Sequence, residues 1–175
     1  MFRFFAAMAA VVAAAGACRA QPDADSATKE LLAIYQKLDA FAAVNDNASA
    51  EAYYAPGWTS TAPGEPPKTL AEVQALEAKA GLNGAAAPQK VSRKLMNLKV
   101  TNGEVRITFL VTIEVKQKDD AGQFGAAGLT HQITATASVR DAWVQTAEGW
   151  KQRSHTRLTQ NKIMVDGKPW PAENQ

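Results

Sequence analysis

Residues 94–116, KLMNLKVTNGEVRITFLVTIEVK, decide the fold. Apolar and polar residues alternate there with a period of two, as in a strand buried on one face. Asn102-Gly103 at the centre is a two-residue hairpin signal, because both residue types tolerate positive φ. Folding about that turn sets Val100 opposite Val105, Leu98 opposite Ile107 and Met96 opposite Phe109, all on one face. Val111, Ile113 and Val115 extend this face, while Arg106, Thr108, Thr112, Glu114 and Lys116 point the other way.

Beyond a glycine-rich connection the alternation resumes. Leu129, Ile133, Ala135, Ala137, Val139 and Trp143 alternate with Thr130, Gln132, Thr134, Thr136, Ser138 and Arg140, which predicts a long half-buried strand. A turn over 146–149 then places Trp143 opposite Gln152 and Asp141 opposite Ser154, with Trp150 on the Trp143 face. A fourth long strand continues to about Val165 and stops at Asp166-Gly167.

Upstream the period is helical. Leu31, Ile34, Tyr35, Leu38, Phe41 and Ala42 form one apolar stripe, capped by Asp25 or Ser26 and stopped by Asn45-Asp46-Asn47. A short helix is expected over 49–54, ended by Pro56-Gly57 ahead of a brief strand near 58–61. Thr69 and Glu72 have the spacing of a capping box, so a third helix starts at Leu70, runs to about Ala80 and stops at Gly81. Helices followed by an antiparallel meander with one apolar face predict an α+β architecture: three N-terminal helices on a curved sheet.

Residues 1–20 combine Met1, Phe2 and Arg3 with an apolar run over 4–15 and small residues before a cut at Ala17 or Ala20, the pattern of a secretory signal peptide. Cys18, Arg19, Gln21 and Asp23 interrupt the run too early for a spanning helix, which needs about 20 apolar residues. Export to the bacterial periplasm or the medium follows, with lipid anchoring through Cys18 as the alternative. Cys18 is the only cysteine, so the exported domain relies on its core rather than on disulfides. Residues 21–25 are a short lead, 26–168 the single domain and 169–175 a tail.

Lys and Arg total 19 against 17 Asp and Glu, and losing Arg3 and Arg19 with the signal leaves 17 of each. A formally neutral domain gives no footing for nucleic acid, and Lys90, Arg93, Lys94 and Lys99 read as the solvated part of a strand.

The helix order, Asn45-Asp46-Asn47 leading to Tyr53-Tyr54-Ala55-Pro56-Gly57-Trp58, and Asp141-Ala142-Trp143-Val144 followed by Glu148-Gly149-Trp150-Lys151 carry a resemblance over 26–168. The chain resembles the SnoaL-like branch of the nuclear transport factor 2-like superfamily, which includes the ketosteroid isomerases. The resemblance implies a cone in which a curved sheet and the first helix enclose a pocket. It does not select an activity. The positions where the isomerases carry a general-base aspartate and a first-helix tyrosine fall at Thr61 or Ala62 and at Ala40, so both isomerase groups are absent.

The aromatic content aimed at one face marks Tyr35, Tyr54, Trp58, His131 and Trp143 as a pocket for a small apolar or aromatic molecule. His131 and Asp141 share the apolar face of their strand and are the candidates for proton transfer. Ten residues at about 3.3 Å each hold them about 33 Å apart along it, so they form no dyad there. A buried Asp141 needs a partner, for which Ser154 is placed. Arg140, Arg153, His155 and Arg157 are expected together on the outer polar face, balanced by Glu114, as a solvated surface, a dimer contact or an anion site.

Gly122, Gly125 and Gly128 lack the G-x-G-x-x-G spacing and precede a strand, so no phosphate loop is expected. Two distant histidines offer no metal site, and no cofactor is expected. The balance favours a ligand-binding domain over an enzyme using His131 or Asp141, with a dimeric interaction module as the third reading.

Overall fold

The computed structural model describes residues 23–79, 89–101 and 103–170. The signal segment, Cys18, Gly81 and Asn102 lie outside the described residues.

Helix α1 (Ala24–Ala43) begins two residues earlier than its pattern suggests. Its N-cap is Asp23, whose Oδ1 accepts from Ser26 N at 2.8 Å and satisfies one orphan amide of the first turn. The helix ends where Asn45 takes φ +58°. Helix α2 (Asn47–Glu51) is capped by Asp46 and stops before Tyr54. Tyr54 instead opens β1 (Tyr54–Thr61), and Pro56-Gly57 sits inside an irregular stretch of that strand rather than ahead of it. After β2 (Lys68–Thr69) the capping box forms: Glu72 Oε2 accepts from Thr69 N at 2.7 Å, and Glu72 N donates to Thr69 Oγ1 at 3.3 Å. It starts α3 (Leu70–Lys79), which stands between β2 and β3.

The sheet contains β3 (Lys90–Thr101), β4 (Glu104–Asp119), β5 (Leu129–Thr146) and β6 (Gly149–Arg157), in the order β2-β1-β6-β5-β4-β3. It is not wholly antiparallel, because β1 runs parallel to β6. The strand expected to continue to Val165 divides: β6 ends at Arg157, and β7 (Lys162–Val165) pairs with the first half of β5. β8 (Lys168–Pro169) then pairs with β7, so ordered pairing reaches into the expected tail.

Thr101 pairs with Glu104, Val100 with Val105 and Leu98 with Ile107, with Gly103 at φ +78° in the turn. The third expected pair is displaced. Leu95, not Met96, stands opposite Phe109, because a bulge between Leu95 and Asn97 leaves Met96 over, 58% exposed. A second bulge, at Arg153 on β6, keeps Trp143 opposite Gln152 but sets Ala142 opposite Ser154 and Asp141 opposite His155. Past each bulge the inward and outward residues of the strand exchange faces.

Ala27, Leu31 and Tyr35 of α1 pack on Val105, Ile107, Phe109, Val139, Trp143 and Trp150. Trp143, Phe109, Leu31, Ile107 and Val105 are fully buried, each worth about 1.5–3 kcal/mol of transfer free energy for the aliphatic and Phe side chains. Leu129, expected on the inner face, is exposed. Along β5 the inward side chains shrink from Trp143 through Val139 to Ala137 and Ala135. One end of the molecule is therefore filled, and the other is left hollow. Among the described residues no helix is long and apolar enough to cross a membrane.

Candidate active-site cavity

The hollow end is a cavity of about 480 Å³ between α1 and the inner sheet face. Val91, Val111, Ile113, Ala135, Ala137 and Val139 make its apolar wall. Tyr54 and Trp58 stack at 4.5 Å, with 17° between their rings, on the opposite side. Trp58 Nε1 donates to Gln152 Oε1 at 2.8 Å, which fixes the indole and satisfies a buried amide.

A buried carboxylate organises the polar end. Asp141, 3% exposed, accepts from Tyr35 Oη at 2.6 Å through Oδ2 and from His155 Nδ1 at 2.7 Å through Oδ1. Trp143 Nε1 donates to Tyr35 Oη at 2.8 Å. Because a carboxylate only accepts, the shared proton sits on Nδ1 of His155, which makes Nε2 the basic nitrogen of the neutral ring. His155 lines the cavity, and among the described residues no hydrogen bond engages its Nε2. The arrangement is that of a general base held in one tautomer by an acid behind it.

Burial first, then the charge of Asp141 and the hydrogen bond to it, raise the Tyr35 pKa above its ordinary 10.0. Tyr35 therefore serves as a neutral donor. The contribution of Tyr35 to stability is fully present below pH 10.0 and is lost as pH rises from there toward the folded-state pKa, since only the unfolded chain can ionise. Wild type should lose about 1.4 kcal/mol per pH unit more than Tyr35→Phe on that limb. Urea titrations at pH 9 to 11 measure it, and parallel curves for the two proteins would refute it.

Arg93 also enters the cavity wall, which corrects its assignment to a solvated strand. Its guanidinium lies 5.1 Å from the Tyr35 ring centroid and pairs with Asp39. Burial lowers its pKa, while Asp141 and Tyr35 pull the other way.

The expected outer-face group of Arg140, Arg153, His155 and Arg157 is split by the second bulge. Arg140 and Arg153 stay outside, where Arg153 and Arg106 pair with Glu104, at 3.2 and 2.6 Å. Glu114, expected to balance them, pairs with Lys90. His155 and Arg157 turn into the cavity.

Of the residues expected to form the pocket, Tyr35, Tyr54 and Trp58 line this cavity. Trp143 stands behind Tyr35, 0% exposed. His131 lies elsewhere, under the glycine-rich connection: its Nδ1 meets Asp166 Oδ2 at 2.6 Å, and its ring meets Phe124 at 6.1 Å. Phe124 in turn packs on Trp170 at 5.0 Å. That hydrogen bond, with the one from Gln132 N, holds the Asp166 pKa below its ordinary value. In this setting His131 pins a loop. Asp141 is in the cavity, with Tyr35 and His155 rather than Ser154 as partners.

Comparison of the sequence with family models and with curated proteins finds no match. Comparison of the structure does. A nuclear transport factor 2-like protein of unknown function from Prochlorococcus marinus superposes with a TM-score of 0.53, at 16% identity over 75% of this chain and 91% of that one. The chain has the nuclear transport factor 2-like fold. The same fold is shared with a protein from Kribbella flavida, with a TM-score of 0.62 at 15% identity over 79% of this chain and 95% of that one. A type 2 hexachlorocyclohexane dehydrochlorinase superposes with a TM-score of 0.59, at 10% identity over 83% and 94%. At such identities the likeness concerns the nuclear transport factor 2-like fold, which is the one the sequence resemblance implies.

Proposed function

We propose that the protein is an enzyme of carbon–hydrogen proton transfer, an isomerase or lyase, acting on a small and largely apolar substrate, with His155 as the acid–base group. The observation that carries this reading is the 2.7 Å contact of His155 Nδ1 with buried Asp141 on a ring that lines the cavity. His155 Nε2 takes a proton from a carbon activated by a neighbouring carbonyl or leaving group. Asp141 stabilises the imidazolium that forms, and Tyr35 and Trp143 hold Asp141 in place. The Tyr54–Trp58 stack supplies a flat wall against which a planar substrate is oriented. That a hexachlorocyclohexane dehydrochlorinase has the same fold supports an elimination among the reactions proposed.

This reading displaces simple ligand binding because of His155, which an unbroken strand would have put on the outer face. Its test is solvent exchange. The protein is incubated in deuterium oxide with a panel of small aromatic and alicyclic ketones and halides, and NMR follows deuterium uptake and elimination. Turnover by wild type that disappears in His155→Gln is the expected result. If the two proteins behave alike across the panel, the reading fails and a binding domain remains. The proposal includes export, with a mature mass beginning at Gln21 or Cys18 and a diacyl group on Cys18 in the lipid-anchored alternative; a full-length product in the cytoplasm would contradict it.

A further inference from the structure

Arg157 ends β6 on the cavity side, opposite Val139 and two residues beyond His155. Its Nε is buried and meets no hydrogen-bond acceptor among the described residues, and no carboxylate there lies within ion-pair distance of its guanidinium. The neighbouring charges are already engaged. Arg93 has Asp39, and Asp141 has Tyr35 and His155. Arg157 is half-buried, and its buried Nε, in a cavity also lined by Val139, Ala137 and Ala135, is a donor left for an acceptor that enters the cavity.

We propose that Arg157 is the recognition site for a carboxylate on the substrate, so that the cavity takes small carboxylic acids with a flat apolar body. This rests on the proton-transfer reading for its use, and on the cavity alone for binding. Arginine presents its N–H donors as a planar fork that matches a carboxylate. Side chains two apart on one strand face are about 6.6 Å apart. A carboxylate on Arg157 therefore places a carbon one or two bonds further along within reach of His155 Nε2, while the body of the acid lies between Val111 and the Tyr54–Trp58 stack.

The test uses phenylacetate and 2-naphthylacetate beside their carboxamides, which keep the shape and lose the charge. Calorimetry on the whole protein should give the acids a Kd at least about tenfold lower than the matched amides. Arg157→Gln should erase the preference, Arg157→Lys should keep part of it, and His155→Gln should leave it intact. Without ligand, Arg157→Gln should melt no lower than wild type, since it loses an unpaired charge and no ion pair. Equal affinity for acid and amide, a preference that survives Arg157→Gln, no binding by either acid at millimolar concentration, or a marked drop in melting temperature would each overturn the proposal. An intact carboxylate preference without any His155-dependent exchange would instead sink the catalytic reading and leave this one standing.

Discussion

Asp141→Ala is expected to destabilise the fold by about 2–5 kcal/mol, since it leaves two donors without their acceptor at about 1–3 kcal/mol each. The carboxylate is 3% exposed and accepts from both Tyr35 and His155. Its loss leaves the Tyr35 hydroxyl and His155 Nδ1 without their acceptor and removes the charge that faces Arg93. Urea unfolding measures the effect as a lower midpoint at unchanged slope. Ser154→Ala is the control. An unbroken hairpin would have made Ser154 the partner of Asp141, but it stands opposite Ala142 on the outer face, so its replacement should cost less than about 0.5 kcal/mol. A loss below about 1 kcal/mol for Asp141→Ala, or equal losses for the two variants, would contradict the network.

The second large effect is on rate. His155→Gln should lower the first-order constant for substrate proton exchange by about 10²–10⁴-fold, the usual contribution of a positioned acid–base group. Glutamine can still donate to Asp141 and so preserves much of the local structure, which keeps the loss of stability near the ~1 kcal/mol of one hydrogen bond. Asp141→Asn should also slow exchange, because an amide can donate to Nδ1 and so favour the tautomer with its proton on Nε2. Retention of more than a tenth of the wild-type rate by His155→Gln would assign the chemistry to another group.

The two bulges mark the boundary between what was legible in the chain and what was not. On β4 every second residue from Val105 to Val111 is apolar, and the pairing of β4 with β5 runs without a break from Glu104–Val144 to Asp119–Leu129. Such a pattern specifies its own register, since a slip of one residue would expose the core. On β6 the run Gln152-Arg153-Ser154-His155-Thr156-Arg157 contains no apolar residue. Nothing in it distinguishes the inner from the outer face, so the phase carried forward from Trp150 put His155 and Arg157 outside. On β3 a signal was present. Val91 and Leu95 keep one parity and Leu98 and Val100 the other, and a strand can reconcile them only by bulging between Leu95 and Asn97, which brings Arg93 inward.

His131 shows the converse. It alternates with its neighbours as an inward residue and is buried, 6% exposed, yet it lies beyond the segment where β5 pairs with β6. Inward on so long a strand means two different places, the cavity and the underside of the 120–128 connection. Only the point at which β6 gives way to β7 separates them.

By itself the sequence determined the α+β class, the helix carrying Tyr35, the capping box at Thr69, the turn at Gly103 and the apolar faces of β4 and β5, because periodicity and turn chemistry are local and repeat over many residues. The tertiary structure alone decided that Asp141 meets Tyr35 and His155, that Arg93 and Arg157 turn inward, and that a hollow remains beside Ala135 and Ala137. Those outcomes depend on single extra residues in two strands and on which strand pairs with which half of β5, and a one-residue offset reverses the face of every side chain beyond it.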